Sequence, residues 1–307
     1  MITIEYGGGL GNHMFKRAAA ELFSQALKLK VDDSNMPHYG GKDVATLIEP
    51  NKYEKTCADN EVIYYGETKD FHNTNQENTK YILPCRTEYL KYILDPTPRR
   101  IKLKGFFQKS WMYLDDRDFF KGFFKLPKPT VLPHKDDVCL NVRRPHVCGT
   151  DALHLSNTTS LNYFTHVIKK HFPENDLYII TDNGDDEDIK YLQNNFNIKE
   201  VYDACNGGFG KNGSLICDAI KSLSRVSSFN NIVGSQGTFC WWAAFLSDAK
   251  NIFFPVQRDG WGFNGLPNID LYLPFANYVH YLNYETESSQ RNNRRSKKIF
   301  FNYRRNQ

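Results

Sequence analysis

The chain has 307 residues, 40% hydrophobic and 24% charged, enough to bury one large core or two domains. Its net charge is +4, and residues 291–307 alone carry seven Lys or Arg and no acid. The remainder is therefore close to neutral, and the chain does not read as a nucleic-acid binder.

The first predicted element is a short strand, ITIEY (2–6), followed by the glycine cluster GGGLGN (7–12). From Asn12, the residues Met14, Phe15, Ala18, Ala19, Leu22, Phe23, Ala26 and Leu27 recur at three- and four-residue spacing. That spacing predicts one apolar stripe on a helix of about four turns. Strand, glycine turn and helix are the start of an α/β unit. Residues 35–125 carry less pattern: EVIYYGE, YILPCRTEYLKYIL and IKLKGFFQ are short aromatic segments among polar loops, with no repeat.

The segment KLPKPTVLPHKDD (125–137) holds three prolines and no periodicity, which marks a domain boundary. Beyond it strands and helices alternate. The predicted strands are 138–142, 177–181, 199–203, 231–234 and 251–256; the predicted helices are 160–172, 186–196, 214–226 and 238–248. Such alternation predicts right-handed crossovers and a parallel, Rossmann-like sheet.

In an open parallel sheet, ligands bind beyond the carboxyl ends of the strands. The residues that follow those ends are Arg143–Arg144, Thr181–Asp182, Asp203 and the turn Ser235, Gln236, Gly237, Thr238. Two arginines and a hydroxyl-bearing turn ahead of a helix suit a nucleoside diphosphate. Arginines neutralise pyrophosphate through charge-assisted hydrogen bonds, and helix N-termini offer backbone N–H groups. Neighbours on a strand point to opposite faces, so one arginine is expected to meet phosphate and the other to brace the loop. Asp182 equally suits turn formation. His146 and Asp151 are candidates for a general base or its support.

Several alternatives fail on spacing. GGGLGN is neither a P-loop nor a G-x-G-x-x-G, which speaks against a nicotinamide oxidoreductase. The acidic run DNGDDED (182–188) reads as a solvated helix N-terminus rather than a metal site, and no metal is expected. At least one of Trp241 and Trp242 reads as core packing against the sheet, and both as holding the preceding turn rather than touching substrate. The cysteines show no C-x-x-C and no regular spacing, so they read as scattered reduced thiols of a reducing compartment. No basic-then-apolar leader opens the sequence, and its longest apolar stretch, 238–246, is too short to span a bilayer. A cytoplasmic protein is expected. The basic tail at 291–307 is read first as a solvated end, and second as a contact with anionic membrane.

Four segments in order resemble the family-eleven glycosyltransferases, the α-1,2-fucosyltransferases. They are GGGLGNHMFKRAA against GGLGNQMFQYA; Asn141-Val-Arg143-Arg144-Pro145-His146 against H-x-R-R-G-D; YIITDNGDDEDIKYLQNNF, a strand ending in Thr-Asp and a helix ending in Asn-Phe; and GSQGTFCWWAAFL against a Ser-Thr-Phe-Ser-Trp-Trp turn and helix. The resemblance spans about residues 1–256. It implies a GT-B fold of two facing Rossmann-like domains with parallel sheets. These would be an acceptor-side domain over 1–125, a donor domain over 126–260, and a C-terminal extension over 261–307.

It also implies inverting, metal-independent transfer from GDP-fucose to a hydroxyl of an oligosaccharide or glycolipid acceptor, with no cofactor beyond the GDP-sugar. Carried over by position, Arg143 or Arg144 would hold the β-phosphate of the leaving GDP; with His146, a candidate base on the reading of the residues themselves, they make the expected catalytic set. Gly9, Gly11, Asn12, Asp182, Thr238 and Phe239 would bind the donor, and Asn141, Ser235 and Gln236 are expected to join them from their places at the strand ends. The glycines would let the first loop approach the sugar diphosphate. The second motif departs from the family at three positions: Asn141 replaces His, Pro145 replaces Gly, and His146 replaces Asp. Both arginines remain, so pyrophosphate handling is expected to persist, while another nucleotide sugar or a non-catalytic binding relative stand as alternatives.

Overall fold

The β-branched segment Ile2–Ile4 forms the first strand, β1, with Ile2 and Ile4 buried. The computed structural model describes residues 1–6, 9–35, 38–39, 42–43, 47–48, 53, 61–65, 79–81, 100–130, 132–144, 159–204, 218–256 and 271–280. After β1 comes helix α1 (Leu10–Leu27), then β2 (Val31–Asp32), a small antiparallel pair β3 (His38–Tyr39) and β4 (Lys42–Asp43), β5 (Glu61–Tyr65), β6 (Thr79–Tyr81) and β7 (Arg100–Lys104). Five of these strands make one sheet in the order β2-β1-β7-β5-β6, and every pairing in it is parallel. Two 3-10 turns, Ser110–Met112 and Leu114–Asp116, lead into the short helix α2 (Arg117–Phe123).

The second sheet follows the predicted alternation closely: β8 (Val138–Val142), α3 (Leu161–His171), β9 (Leu177–Thr181), α4 (Glu187–Asn195), β10 (Ile198–Asp203), α5 (Ala219–Ser227), β11 (Asn231–Gly234), α6 (Thr238–Leu246) and β12 (Asn251–Val256). A further strand, β13 (Asn277–His280), pairs in parallel with β12 and lies in the segment read from sequence as a C-terminal extension. The order is β10-β9-β8-β11-β12-β13, all parallel. Counted along this unit, that is 3-2-1-4-5-6, the doubly wound dinucleotide-type order, with the reversal between β8 and β11. The protein is thus α/β, with two parallel, Rossmann-like sheets.

Both faces of the second sheet are covered, which is why all five residues of β8 are buried, the polar Asn141 included. Val138, Leu140 and Val142 pack with Phe164, Val167, Ile189 and Leu192 of α3 and α4. Cys139 points to the opposite face, into the core that holds α5 and α6. That core continues without a break into the first sheet through a group of rings. Phe15 of α1 lies 4.7 Å from Trp241 and 4.9 Å from Trp242 between ring centres, and Tyr113, Phe120 and Phe124 close around Trp242. Both tryptophans are core residues, where their place inside an apolar helix predicts at least one. Tilted and edge-on aromatic pairs of this kind each add about 0.5–1.5 kcal/mol beyond their buried area.

Helix α6 belongs to the second sheet by connectivity, yet the first unit grips it at both ends. At its C-terminus Arg117 of α2 donates from Nε to Phe245 O at 2.7 Å and from Nη2 to Ser247 O at 2.6 Å. A cation on the last carbonyls of a helix satisfies groups that have no intrahelical partner. Lys121 pairs with Asp248 beside it. At its N-terminus α6 meets α1.

Candidate anion-binding site

Helices α1 and α6 each begin just past the carboxyl end of a strand, β1 and β11. Their first turns meet, so the carboxyl edges of the two sheets face one another there. Gly11 makes this approach possible: a Cβ on it would stand 2.5 Å from Phe239 N and 2.7 Å from Thr238 Oγ1. Gly9, by contrast, has nothing within 4 Å of a Cβ placed on it. The glycine motif thus combines one position of helix contact with one of open space; Gly7 and Gly8 lie outside the described residues.

Among the described residues neither helix start is neutralised by an acid or a capping side chain. Gly9 and Gly237 occupy the N-cap positions, so neither N-terminus has a side-chain cap, and neither first turn holds an acid. The helices α3, α4 and α5 differ, being capped by Ser160, Asp186 and Asp218. The first N–H groups of a helix have no intrahelical acceptor and carry the positive end of the helix dipole. Gly237 has φ +137° and ψ 162°, a conformation essentially reserved for glycine, and it turns the chain from β11 into α6.

Side chains from both sheets meet at this point. Asn12 Oδ1 accepts from Thr238 Oγ1 at 2.8 Å and from Gln108 Nε2 at 3.0 Å. On the second sheet, Ser235 ties the ends of β8 and β11 together at the topological reversal. Its N–H and hydroxyl both donate to Asn141 O, at 2.9 and 2.7 Å, and its Oγ accepts from Arg143 N at 2.9 Å. Gln236 N donates to the buried Thr159 Oγ1 at 3.0 Å, which fixes the next residue of the turn. Phe239 packs partly buried against the shared core, and its backbone N faces Gly11.

The two arginines separate as the strand alternation requires. Arg143 is 44% exposed, lies 4.0 Å from Asp182 Oδ2, and reaches toward the α6 turn, where a Cβ on Gly237 would be 3.8 Å from its Nη1. Arg144 is only 6% exposed. Its guanidinium donates to Asp188 Oδ2 at 3.0 and 2.9 Å, sits 3.7 Å from Asp186, and donates from Nη1 to Arg143 O at 2.7 Å. It braces the loop, and Arg143 faces the crevice.

Asp182 belongs to this brace, accepting from Arg144 N at 2.6 Å. Asn141 is buried, and its Nδ2 donates to Ile180 O at 3.3 Å across to β9. The acidic run has a more specific job than solvation. Asp186 caps α4, accepting from Asp188 N, and burial pushes its carboxyl above the ordinary range despite that bond and the nearby Arg144. Asp188 anchors Arg144, and Asp203 accepts from Gly184 N at 2.9 Å. Among the described residues no group of three or more His, Cys, Asp or Glu is placed to hold a metal ion. His146, Pro145 and Asp151 lie outside the described residues.

Gln108 was not singled out by the sequence. It sits beyond the end of β7 in a segment without periodicity, and nothing local marks it; a polar residue between FF and an aromatic turn was the only sign.

Among the described residues, the assembled features are two helix N-termini, the exposed guanidinium of Arg143 and an amide bonded to both units. Chemically they can bind an anion with more than one charged group. No family model matches the chain, and no curated protein matches it. Among solved structures it is similar to a mutant of Arabidopsis thaliana FUT1 in complex with GDP, at 11% identity and a TM-score of 0.43, over 81% of this chain and 68% of that one.

Proposed function

We propose that the chain is an inverting glycosyltransferase that takes its sugar from a nucleoside-diphosphate donor, GDP-fucose, and passes it to a hydroxyl of a glycan acceptor. The observation that carries this reading is the pair of uncapped helix starts, α1 and α6, meeting beside Arg143 at the reversal between β8 and β11. The choice of fucose and of the guanine nucleotide rests on the four family-eleven motifs.

The proposed chemistry is electrostatic. As the bond between the anomeric carbon and the β-phosphate oxygen breaks, the phosphate gains negative charge. The N–H groups at the start of α6 that do not pack against Gly11, and the guanidinium of Arg143, are proposed to take up that charge with little reorganisation as it develops. Arg144, held by Asp188, keeps Arg143 in place. The acceptor hydroxyl attacks the opposite face of the sugar, which inverts the anomeric centre, and its proton leaves to a base. Arg143 and the helix N–H groups are proposed to supply the neutralisation that a metal gives other transferases, so the reaction is proposed to be metal-independent and to need no cofactor. The acceptor is proposed to be an oligosaccharide or glycolipid met in the cytoplasm or at its membrane face; among the described residues no helix is long and apolar enough to cross a membrane.

A donor panel tests the reading. Purified protein is incubated with GDP-fucose, GDP-mannose, UDP-sugars and dTDP-sugars in EDTA, and the release of nucleoside diphosphate is followed with and without acceptor glycans. Selective release from GDP-fucose is expected. Selectivity for another nucleotide sugar would move the substrate while keeping the mechanism, and binding without turnover on any acceptor would sink the enzyme reading.

A further inference from the structure

We propose that Gln108 is a positioning residue for nucleoside-diphosphate binding: it orients the amide of Asn12 so that its Nδ2 hydrogens, not its oxygen, face the anion crevice. This rests on the donor-binding reading above. Asn12 Oδ1 accepts two hydrogen bonds, one from each side of the crevice, Gln108 Nε2 at 3.0 Å and Thr238 Oγ1 at 2.8 Å. Both acceptor positions of the carbonyl oxygen are then occupied, and the amide plane has one orientation. An amide that presents its N–H₂ face adds a donor to the helix N–H groups and Arg143; the flipped amide would present an oxygen and repel phosphate.

The segment that carries Gln108 is built to hold it. Gly105 has φ +86° and the buried Phe107 has φ +53°, a left-handed conformation unusual for a bulky residue. Phe107 O accepts from Lys109 N at 2.9 Å, which closes a tight turn centred on Gln108, and from the buried Tyr113 hydroxyl at 2.8 Å. Phe107 itself fills the core of the first unit. Backbone held in a sparsely populated region and fastened on both sides is the signature of a position set for a purpose. Gln108 is 5% exposed, so its side chain has no competing solvent partner of consequence. The consequence is that the first sheet controls a donor group in the site of the second.

The test is a double-mutant cycle read by calorimetric titration of GDP and UDP. Gln108→Met keeps the length, cannot donate to Asn12 Oδ1 and adds no charge beside the anion, so the amide is no longer held in one orientation. The expected result is binding weakened by about tenfold in the wild-type background, less than about twofold in an Asn12→Ala background, and an unchanged thermal midpoint. Gln108→Leu, also without charge, is the second variant and is held to the same criteria if the Met variant does not fold. Equal binding by wild type and variant overturns the positioning role and leaves the donor-site reading standing. Equal weakening in both backgrounds also overturns it, because the effect then does not pass through Asn12. Failure of the wild type itself to bind either nucleotide overturns the donor-site reading, and the role of Gln108 with it.

Discussion

Gly11 of α1 stands against the backbone of Phe239 in α6, so close that a single added Cβ would lie 2.5 Å from Phe239 N. The partner atoms are helix backbone on both sides and cannot rotate away. Gly11→Ala is therefore expected to cost about 2 kcal/mol or more through overpacking, despite alanine's better helix propensity. It should also part Asn12 from Thr238 and weaken nucleotide binding. Urea unfolding with calorimetric titration of GDP checks both effects. Gly9→Ala, which meets open space, is the control and should leave stability close to wild type.

Gly237 depends on conformation rather than on space. At φ +137° an alanine is strained whatever its surroundings, and a Cβ there would meet nothing nearer than Arg143 Nη1 at 3.8 Å. Gly237→Ala should lose about 1–3 kcal/mol. Relief of that strain would rotate the peptide ahead of α6 and misalign the N–H groups at its start. Thermal unfolding and nucleotide affinity should therefore fall together, unlike in a variant that only removes a contact.

The second sheet was legible in the sequence because each strand ends at a recognisable break and each crossover helix has one apolar face. Residues 138–142 and 231–234 match β8 and β11 to the residue. Residues 35–125 resisted because their strands are two to five residues long and α2 has only seven residues, too short for a 3.6-residue period to register. The pairing of β1 with β7 joins residues about a hundred positions apart, which no local pattern encodes. Helix α1 shows a different kind of loss. Its apolar stripe was visible, but Lys16, Arg17 and Glu21 on the other side are buried too. Arg17 pairs with Glu21 at 3.1 Å and Asp33 at 2.9 Å and lies over the Phe123 ring, so its charge is compensated inside the fold. Composition alone assigns such residues to solvent.

The same contrast holds at the site. Arg143, Ser235 and Thr238 could be named in advance because strand ends and helix starts are predictable places. Gln108, and which of Arg143 and Arg144 takes which of the two expected roles, come from tertiary contacts. The buried Arg144 is explained only once Asp188, forty-four positions away, is seen beside it.

Arg117 gives a prediction about assembly of the two units. Its two charge-assisted bonds, to Phe245 O and Ser247 O, are the first unit's hold on the C-terminus of α6. Each such bond contributes about 1.5–3 kcal/mol in general, and partial exposure of Arg117 places this pair toward the lower end. Arg117→Ala should lose about 2–3 kcal/mol by denaturant unfolding. Arg117→Lys should recover only part of the loss, since one ammonium cannot span two carbonyls in the guanidinium's fork geometry.

Cys139 and Cys240 face each other's surroundings in the shared core, both nearly inaccessible. Burial raises the Cys139 thiol well above its ordinary value and pushes Cys240 up to about 12. Reaction with iodoacetamide requires the thiolate, so at pH 8 neither is expected to react in the folded protein. Peptide mapping after a short exposure should find both unmodified, and both labelled in urea. Labelling of either in native buffer would contradict the tight packing described.

The neighbouring arginines should fail in opposite ways. Arg143 is half-exposed and directed at the α6 turn, so Arg143→Ala should leave unfolding stability within about 0.5 kcal/mol of wild type. Loss of a charge-assisted donor to phosphate should weaken nucleoside-diphosphate binding by about tenfold or more. Arg143→Lys should restore part of the affinity, because the charge returns without the bidentate geometry. Arg144→Ala instead removes the buried partner of Asp188, whose carboxylate is 15% exposed, and should destabilise the fold by about 3 kcal/mol. Its effect on affinity should be secondary, following displacement of Arg143. Denaturation curves and GDP titrations of the three variants, measured at one salt concentration, decide the matter: if Arg144→Ala lost affinity at full stability while Arg143→Ala bound normally, the assignment of the two arginines would have to be reversed.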